Sequence, residues 1–253
     1  MTKKFLLSCT VVAAVVLSGI HLNAHAKNLE ISESKTEVSN KTYEIICTKK
    51  GGKIIGKHLT IIGNKETNTN TNMHAITTEG SNTAIELLDD TIIKGTDSSI
   101  FLGLKAKNGA TLKMTGGTIT VSNTGANFLD SKSTENKLKD ITISNSKAPL
   151  SSGVVAYNNS QVTLENVKVT NAMNSITANN KSEITILGGI FNTIKVAISS
   201  YKCSSYIIPW HWTPCKRYRI HDKNDGRNHN HRKNSITCRK RQHNQNERRN
   251  SAC

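Results

Sequence analysis

Residues 103–121 read GLKAKNGATLKMTGGTITV. A short apolar strand leads into an Asn108-Gly109 turn. An alternating strand follows (Thr111, Leu112, Lys113, Met114), then a Gly116-Gly117 turn and Ile119 and Val121. The plan recurs at residues 80–94 (GSNTAIELLDDTIIK), 158–169 (NNSQVTLENVKV) and 180–191 (NKSEITILGGIF), with a shorter version, NKLKDITIS, at 136–144. One such module cannot bury its apolar side alone and needs copies above and below it.

The last apolar residue before each internal turn marks the period. Leu87, Met114, Leu138, Leu164 and Ile186 follow one another at steps of 22 to 27 residues, a solenoid spacing. Inside a module the apolar residues alternate, as in Leu112/Met114, Val162/Leu164 and Ile184/Ile186. Period two sends these inward and leaves Lys113, Thr163 and Thr185 facing water. Asn-Gly, Gly-Gly, Asp-Asp and Asn-Asn pairs punctuate the modules and suit corners that need positive φ. Proline is nearly absent from the repetitive body, Pro149 alone, so strands are unobstructed. Strands of three to five residues at this period predict an all-β, right-handed parallel β-helix. An antiparallel sandwich also accommodates short alternating strands.

Three segments differ in composition. Residues 1–26 have the form of a secretory signal: Lys3 and Lys4, an apolar stretch from Phe5 to Ile20, and Ala24-His25-Ala26 as a cleavage site. Residues 27–200 hold the modules and one cysteine, Cys47. Residues 201–253 hold both tryptophans, four cysteines (Cys203, Cys215, Cys238, Cys253) and over half of the formal net charge of +16. That tail is expected to be disordered. Its basic run, Asn228-His229-Asn230-His231-Arg232-Lys233, has no stacking aromatics interleaved, and its cysteine spacings match no usual zinc set, so neither nucleic acid nor a metal is expected.

The genetic code explains the tail better. Shifting the frame by one base from Arg227 permits EITITGKTALHAEKGNTIKMKGGTVH. Its start resembles residues 183–188 (EITILG), and ALHAEKGNTIKMKGGTV follows residues 103–119 almost position for position. The tail therefore reads as out of frame.

A signal peptide followed by Asn/Thr/Gly-rich modules of the GLxAxxGxTLxMTGGTI type resembles the passenger region of pertactin-like autotransporters of type V secretion. The resemblance covers residues 1–200. It implies an extracellular β-helix acting as an adhesin or host-interacting virulence factor, with host cell-surface or matrix molecules as partners. It also implies a C-terminal outer-membrane barrel. No barrel-like strands are present up to Cys253, so the product is expected to be a truncated passenger held in the periplasm, its full-length form reaching the cell surface.

β-Helices also carry polysaccharide lyases and hydrolases, and glycoside hydrolysis works with paired carboxylates. The acids available are Glu86, Asp89, Asp90, Asp97, Asp130, Asp140 and Glu165. Asp89-Asp90 falls where other modules place Gly-Gly, which reads as a corner. His58 and His74 are isolated and read as surface or turn residues. Tyr43, Phe128 and Tyr157 offer a small aromatic patch or core plugs. No catalytic, cofactor or metal site stands out, and a non-enzymatic passenger is expected, with a glycan-processing β-helix as the alternative.

Overall fold

The structure, a computed structural model, describes residues 26–63, 73–95, 101–145, 148–201, 204–207, 220–223 and 249–251. Residues 1–25, Asp97, the four tail cysteines and most of the basic tail lie outside the described residues. The described residues form strands and no helix, and nearly all pairings are parallel.

The strands stack as three ladders. The first contains Lys35–Ser39, Lys53–Lys57, Ala84–Leu88, Thr111–Thr115 and Lys137–Lys139, then the starts of Gln161–Asn179 and Glu183–Tyr201. The second contains Thr60–Gly63, Ile92–Gly95, Thr118–Thr120 and Thr142–Ser144, continued by Lys168 and Ile190. The third runs from Ala26–Ser32 through Thr42–Lys49, Met73–Glu79, Phe101–Lys107, Thr124–Leu129 and Leu150–Tyr157 to Ala172 and beyond. From Lys53 onward the chain visits the three in the same order on every pass, which makes a solenoid-like stack. Parallel neighbours cannot be joined by a hairpin. Here the return path is the other two ladders, and the antiparallel sandwich is excluded.

The five marker residues form one column. Leu87 pairs with Met114, Met114 with Leu138, Leu138 with Leu164, and Leu164 with Ile186. All five are buried, as are Ile85, Leu112, Val162 and Ile184 beside them. Ile93, Ile119, Ile143 and Val169 of the second ladder, and Ile76, Leu104, Ala126, Val154 and Ile176 of the third, complete the interior. Each large aliphatic chain withdrawn this way is worth about 1.5–3 kcal/mol.

Corners are turned by residues in the left-handed region. Asp89, Asp90, Gly116, Asp140, Asn166 and Gly188 occupy one corner with φ of 56°, 57°, 74°, 51°, 52° and 90°. Short polar side chains and glycine tolerate this region, which explains the Asp, Asn and Gly punctuation. In later passes the corner does not interrupt pairing. Gln161–Asn179 and Glu183–Tyr201 each run as one 19-residue strand across all three ladders, where three-to-five-residue strands were expected. A single left-handed residue, Asn166, bends the chain while its neighbours stay in register, whereas at Asn171 the pairing shifts register between Val169 and Asn174.

A different corner needs glycine for space. A Cβ on Gly103 would lie 2.8 Å from Ile119 Cγ2 and 2.1 Å from Gly125 O. One on Gly125 would lie 2.3 Å from Ile143 Cγ2, and one on Gly153 2.5 Å from Val169 Cγ1. The second ladder's β-branched core residues thus press on bare backbone in the third.

Parallel pairing extends past residue 200. Ser205–Ile207 lies on Glu183–Thr185, and Ile220–Lys223 lies on the stretch from Ile198 to Tyr201. Arg249–Ser251 pairs antiparallel with Ser205–Ile207.

Candidate functional site

Of the acids singled out by the sequence, Glu86, Asp89, Asp90, Asp140 and Glu165 come to lie on or beside the outer surface of the first ladder. Glu86 stands opposite Lys113, and Lys113 opposite Lys137. Lys137 is followed in the same outward column by Thr163 and Thr185. Glu165 is opposite Lys139 and receives two ammonium groups, Lys137 Nζ at 2.6 Å and Lys139 Nζ at 2.8 Å. Hydrogen bonds from Lys137 and then Lys139 hold its carboxyl below the ordinary carboxylate range. Glu135 is held low in the same way by the ammonium of Lys113, at 2.5 Å.

The corner next to this surface carries Asp90, Gly116, Asp140 and Asn166 in succession. Asp140 Oδ1 accepts from Asn166 Nδ2 at 3.0 Å. A Cβ on Gly116 would sit 3.3 Å from Asp90 Oδ1, so the Asp90 carboxylate lies close over the bare glycine. Two strand spacings separate those aspartates, about 9.5 Å along the stack. Asp130 lies at a different corner and accepts from Asn158 Nδ2 at 3.4 Å.

The surface therefore gathers Asp90, Lys113, Glu135, Lys137, Lys139, Asp140 and Glu165. Its charges are largely matched in pairs. A general acid must keep its proton near neutral pH, and Glu165 and Glu135 are displaced the opposite way. Chemically the arrangement is a rail at the strand spacing, charged from Glu86 to Lys137 and hydroxyl-bearing at Thr163 and Thr185.

His58 is exposed at a corner with φ of 48°, a turn residue as expected. His74 is not at the surface. It is 7% exposed, drawn in by its position opposite Leu102 and beside Ala75 and Ile76 in the third ladder. The aromatic patch does not form. Phe128 and Tyr43 are buried in the interior, and only Tyr157 is exposed. Burial pushes the Tyr43 hydroxyl and the Cys47 thiol up from their ordinary pKa values, in Cys47 with help from Glu30. Among the described residues no three His, Cys, Asp or Glu side chains are grouped so as to hold a metal ion.

Two devices were missed in the sequence. The first is a buried serine column. Ser131 N donates to Ser160 Oγ (3.0 Å), Ser160 N to Ser182 Oγ (3.2 Å), and Ser182 N to Ser204 Oγ (3.2 Å). Each hydroxyl also donates to a backbone carbonyl in the cases of Ser131, Ser160 and Ser182. The signal was present: Ser160, Ser182 and Ser204 recur at 22 residues, each one residue ahead of its strand.

The second is Asn136, fully buried at the head of the shortened module. Its Oδ1 accepts from Leu112 N (2.9 Å), and its Nδ2 donates to Gln161 O (2.9 Å), Ser133 O (3.0 Å) and Ser131 Oγ (2.8 Å). The Lys137–Lys139 strand is two residues shorter than Thr111–Thr115 beneath it. The side-chain amide substitutes for the missing peptide and links the passes below and above.

Comparison with known protein families, curated proteins and solved structures found no match in any of the three.

Proposed function

We propose that the chain is a passenger segment of a pertactin-like autotransporter, wound as a right-handed parallel β-helix and acting without catalysis as an adhesin or host-interacting virulence factor. The observation that supports this best is the unbroken column Leu87, Met114, Leu138, Leu164, Ile186 under an outer face of matched charges and hydroxyls. A stiff rod with a repeating surface gains binding area by length. Right-handed winding follows the handedness of about 98% of parallel crossovers. Residues 1–26 direct export in this reading, host cell-surface or matrix molecules are the partners, and the chain beyond about Arg227 is translated out of frame.

Purified protein is expected to show β-type circular dichroism, to bind host cells or matrix weakly, and to leave polysaccharides uncut. The two-strand spacing of Asp90 and Asp140 favours the second reading, a glycan-processing enzyme, because inverting hydrolysis uses carboxylates about 6.5–9.5 Å apart. Turnover of a polysaccharide that disappears in Asp90→Asn, Asp140→Asn or Glu165→Gln would replace the passenger reading with that one. Sequencing the gene past codon 200 tests the frame: an intact shifted frame that continues the modules is expected.

A further inference from the structure

The turn ahead of Thr111–Thr115 contains the chain's single Asn-Gly pair, Asn108-Gly109. This dipeptide is chemically labile in principle. Loss of the Gly109 amide proton to hydroxide lets that nitrogen attack Asn108 Cγ. The new N–Cγ bond closes a succinimide, the Cγ–Nδ2 bond breaks, and ammonia leaves. Water then opens the ring at either carbonyl, giving aspartate or isoaspartate. Glycine puts no side chain in the way of the attacking nitrogen.

The stack restrains each participant. Gly109 N, the nucleophile, donates to Asp130 O at 2.9 Å in the pass above. Asn108 N donates to Leu129 O at 3.1 Å in that same pass. Asn108 Nδ2, on the leaving group, donates to Glu79 Oε1 at 3.0 Å in the pass below. Lys107 pairs with the other oxygen of Glu79 at 2.7 Å and holds that carboxylate in place. Asn108 is nevertheless exposed, so water and hydroxide reach it without any opening. Access is therefore not what limits the reaction; the contacts with neighbouring passes are.

We propose that Asn108 is a deamidation site kept latent by stacking, so that its conversion marks chains whose passes have separated. The change works against restacking. An isoaspartate routes the backbone through Cβ, adding a methylene just before Thr111–Thr115 and shifting that strand against both neighbours. An aspartate loses the donor to Glu79 and sets two carboxylates face to face. A chain that opens for long enough is thereby committed to staying open.

The test incubates the full-length protein at mildly alkaline pH, with and without unfolding urea, and follows residue 108 by peptide mapping. The readouts are the mass change of NH2 to OH and isoaspartate-specific methylation. Conversion should be about tenfold slower or more in the folded protein, because it proceeds only through the opened fraction. Glu79→Gln should raise the folded-state rate and leave the rate in urea unchanged. Asn108→Gln should abolish conversion in both. Equal rates with and without urea in the unsubstituted protein would overturn the proposal, as would full recovery of the native circular dichroism and urea midpoint by protein carrying isoaspartate at 108.

Discussion

Asn136 is the residue on which most of the local hydrogen bonding converges. Replacing it with alanine would leave the buried Leu112 N–H and the part-buried Gln161 C=O without this partner, at about 1–3 kcal/mol each. Asn136→Ala should therefore lower the urea midpoint by an amount corresponding to about 2–5 kcal/mol. Asn136→Asp keeps the acceptor for Leu112 and loses the donor to Gln161, so it should not rescue. A midpoint unchanged in Asn136→Ala would show that the amide does not link the passes. The sequence hid this role, since an asparagine heading a module reads as one more turn residue.

Glu165 makes a weaker but pH-dependent contribution. Its folded pKa lies below its unfolded value because Lys137 and Lys139 favour the ionised form. The associated stability is present above the ordinary carboxylate range and is lost as pH falls through the lower folded value. Both lysines are well exposed, so solvent and salt screen the pairs and the contribution stays small. Glu165→Gln should flatten the acid limb of the stability profile slightly and change little near neutral pH. A large loss at neutral pH would mean that the pairs carry far more than surface ion pairs do.

At the scale of the element, the ladders keep register by fit as well as by hydrogen bonds. Gly125→Ala would drive a Cβ to 2.3 Å from Ile143 Cγ2 and 2.7 Å from Gly153 O. The third ladder would have to separate locally, a cost of about 1–3 kcal/mol by the usual scale of overpacking. Gly51→Ala provides the contrast: nothing lies within 4 Å of its Cβ, though its φ is 78°. Thermal unfolding should place Gly125→Ala below Gly51→Ala. The reverse order would show that backbone conformation, not the approach of Ile143, governs these glycines.

Much at this scale was legible in the sequence, and the reasons are physical. Period-two alternation fixed which residues face inward, and the five markers stack as one column because all precede the same corner. Asp89-Asp90 was legible as a corner because only small or locally hydrogen-bonding residues suit left-handed backbone. Strand lengths were less legible: Asn166 resembles a turn residue, yet the chain pairs straight through it. His74 was misjudged as a surface residue because it lies in no recognised module, so its facing could not be read from alternation. The serine column lay in plain view at 22-residue spacing. It went unrecognised because a serine before a strand has an ordinary role as a turn residue.

For the stack as a whole, the strands of each pass among the described residues pair with those of the passes beside it, so stability accumulates from neighbour to neighbour. Successive passes lie parallel, residue paired with residue along the outward column of the first ladder. Lys113, Lys137, Thr163 and Thr185 form one outward column, each paired with the next. Replacing these in pairs with cysteine, in a chain whose native cysteines are replaced by serine, allows spin labels to be placed one, two and three passes apart. The backbone separations from residue 113 should rise in equal steps, about 5, 10 and 14 Å. Electron paramagnetic resonance on the labelled protein should show that monotonic rise for residues 137, 163 and 185. Separations that fail to increase with the number of passes would contradict the stack.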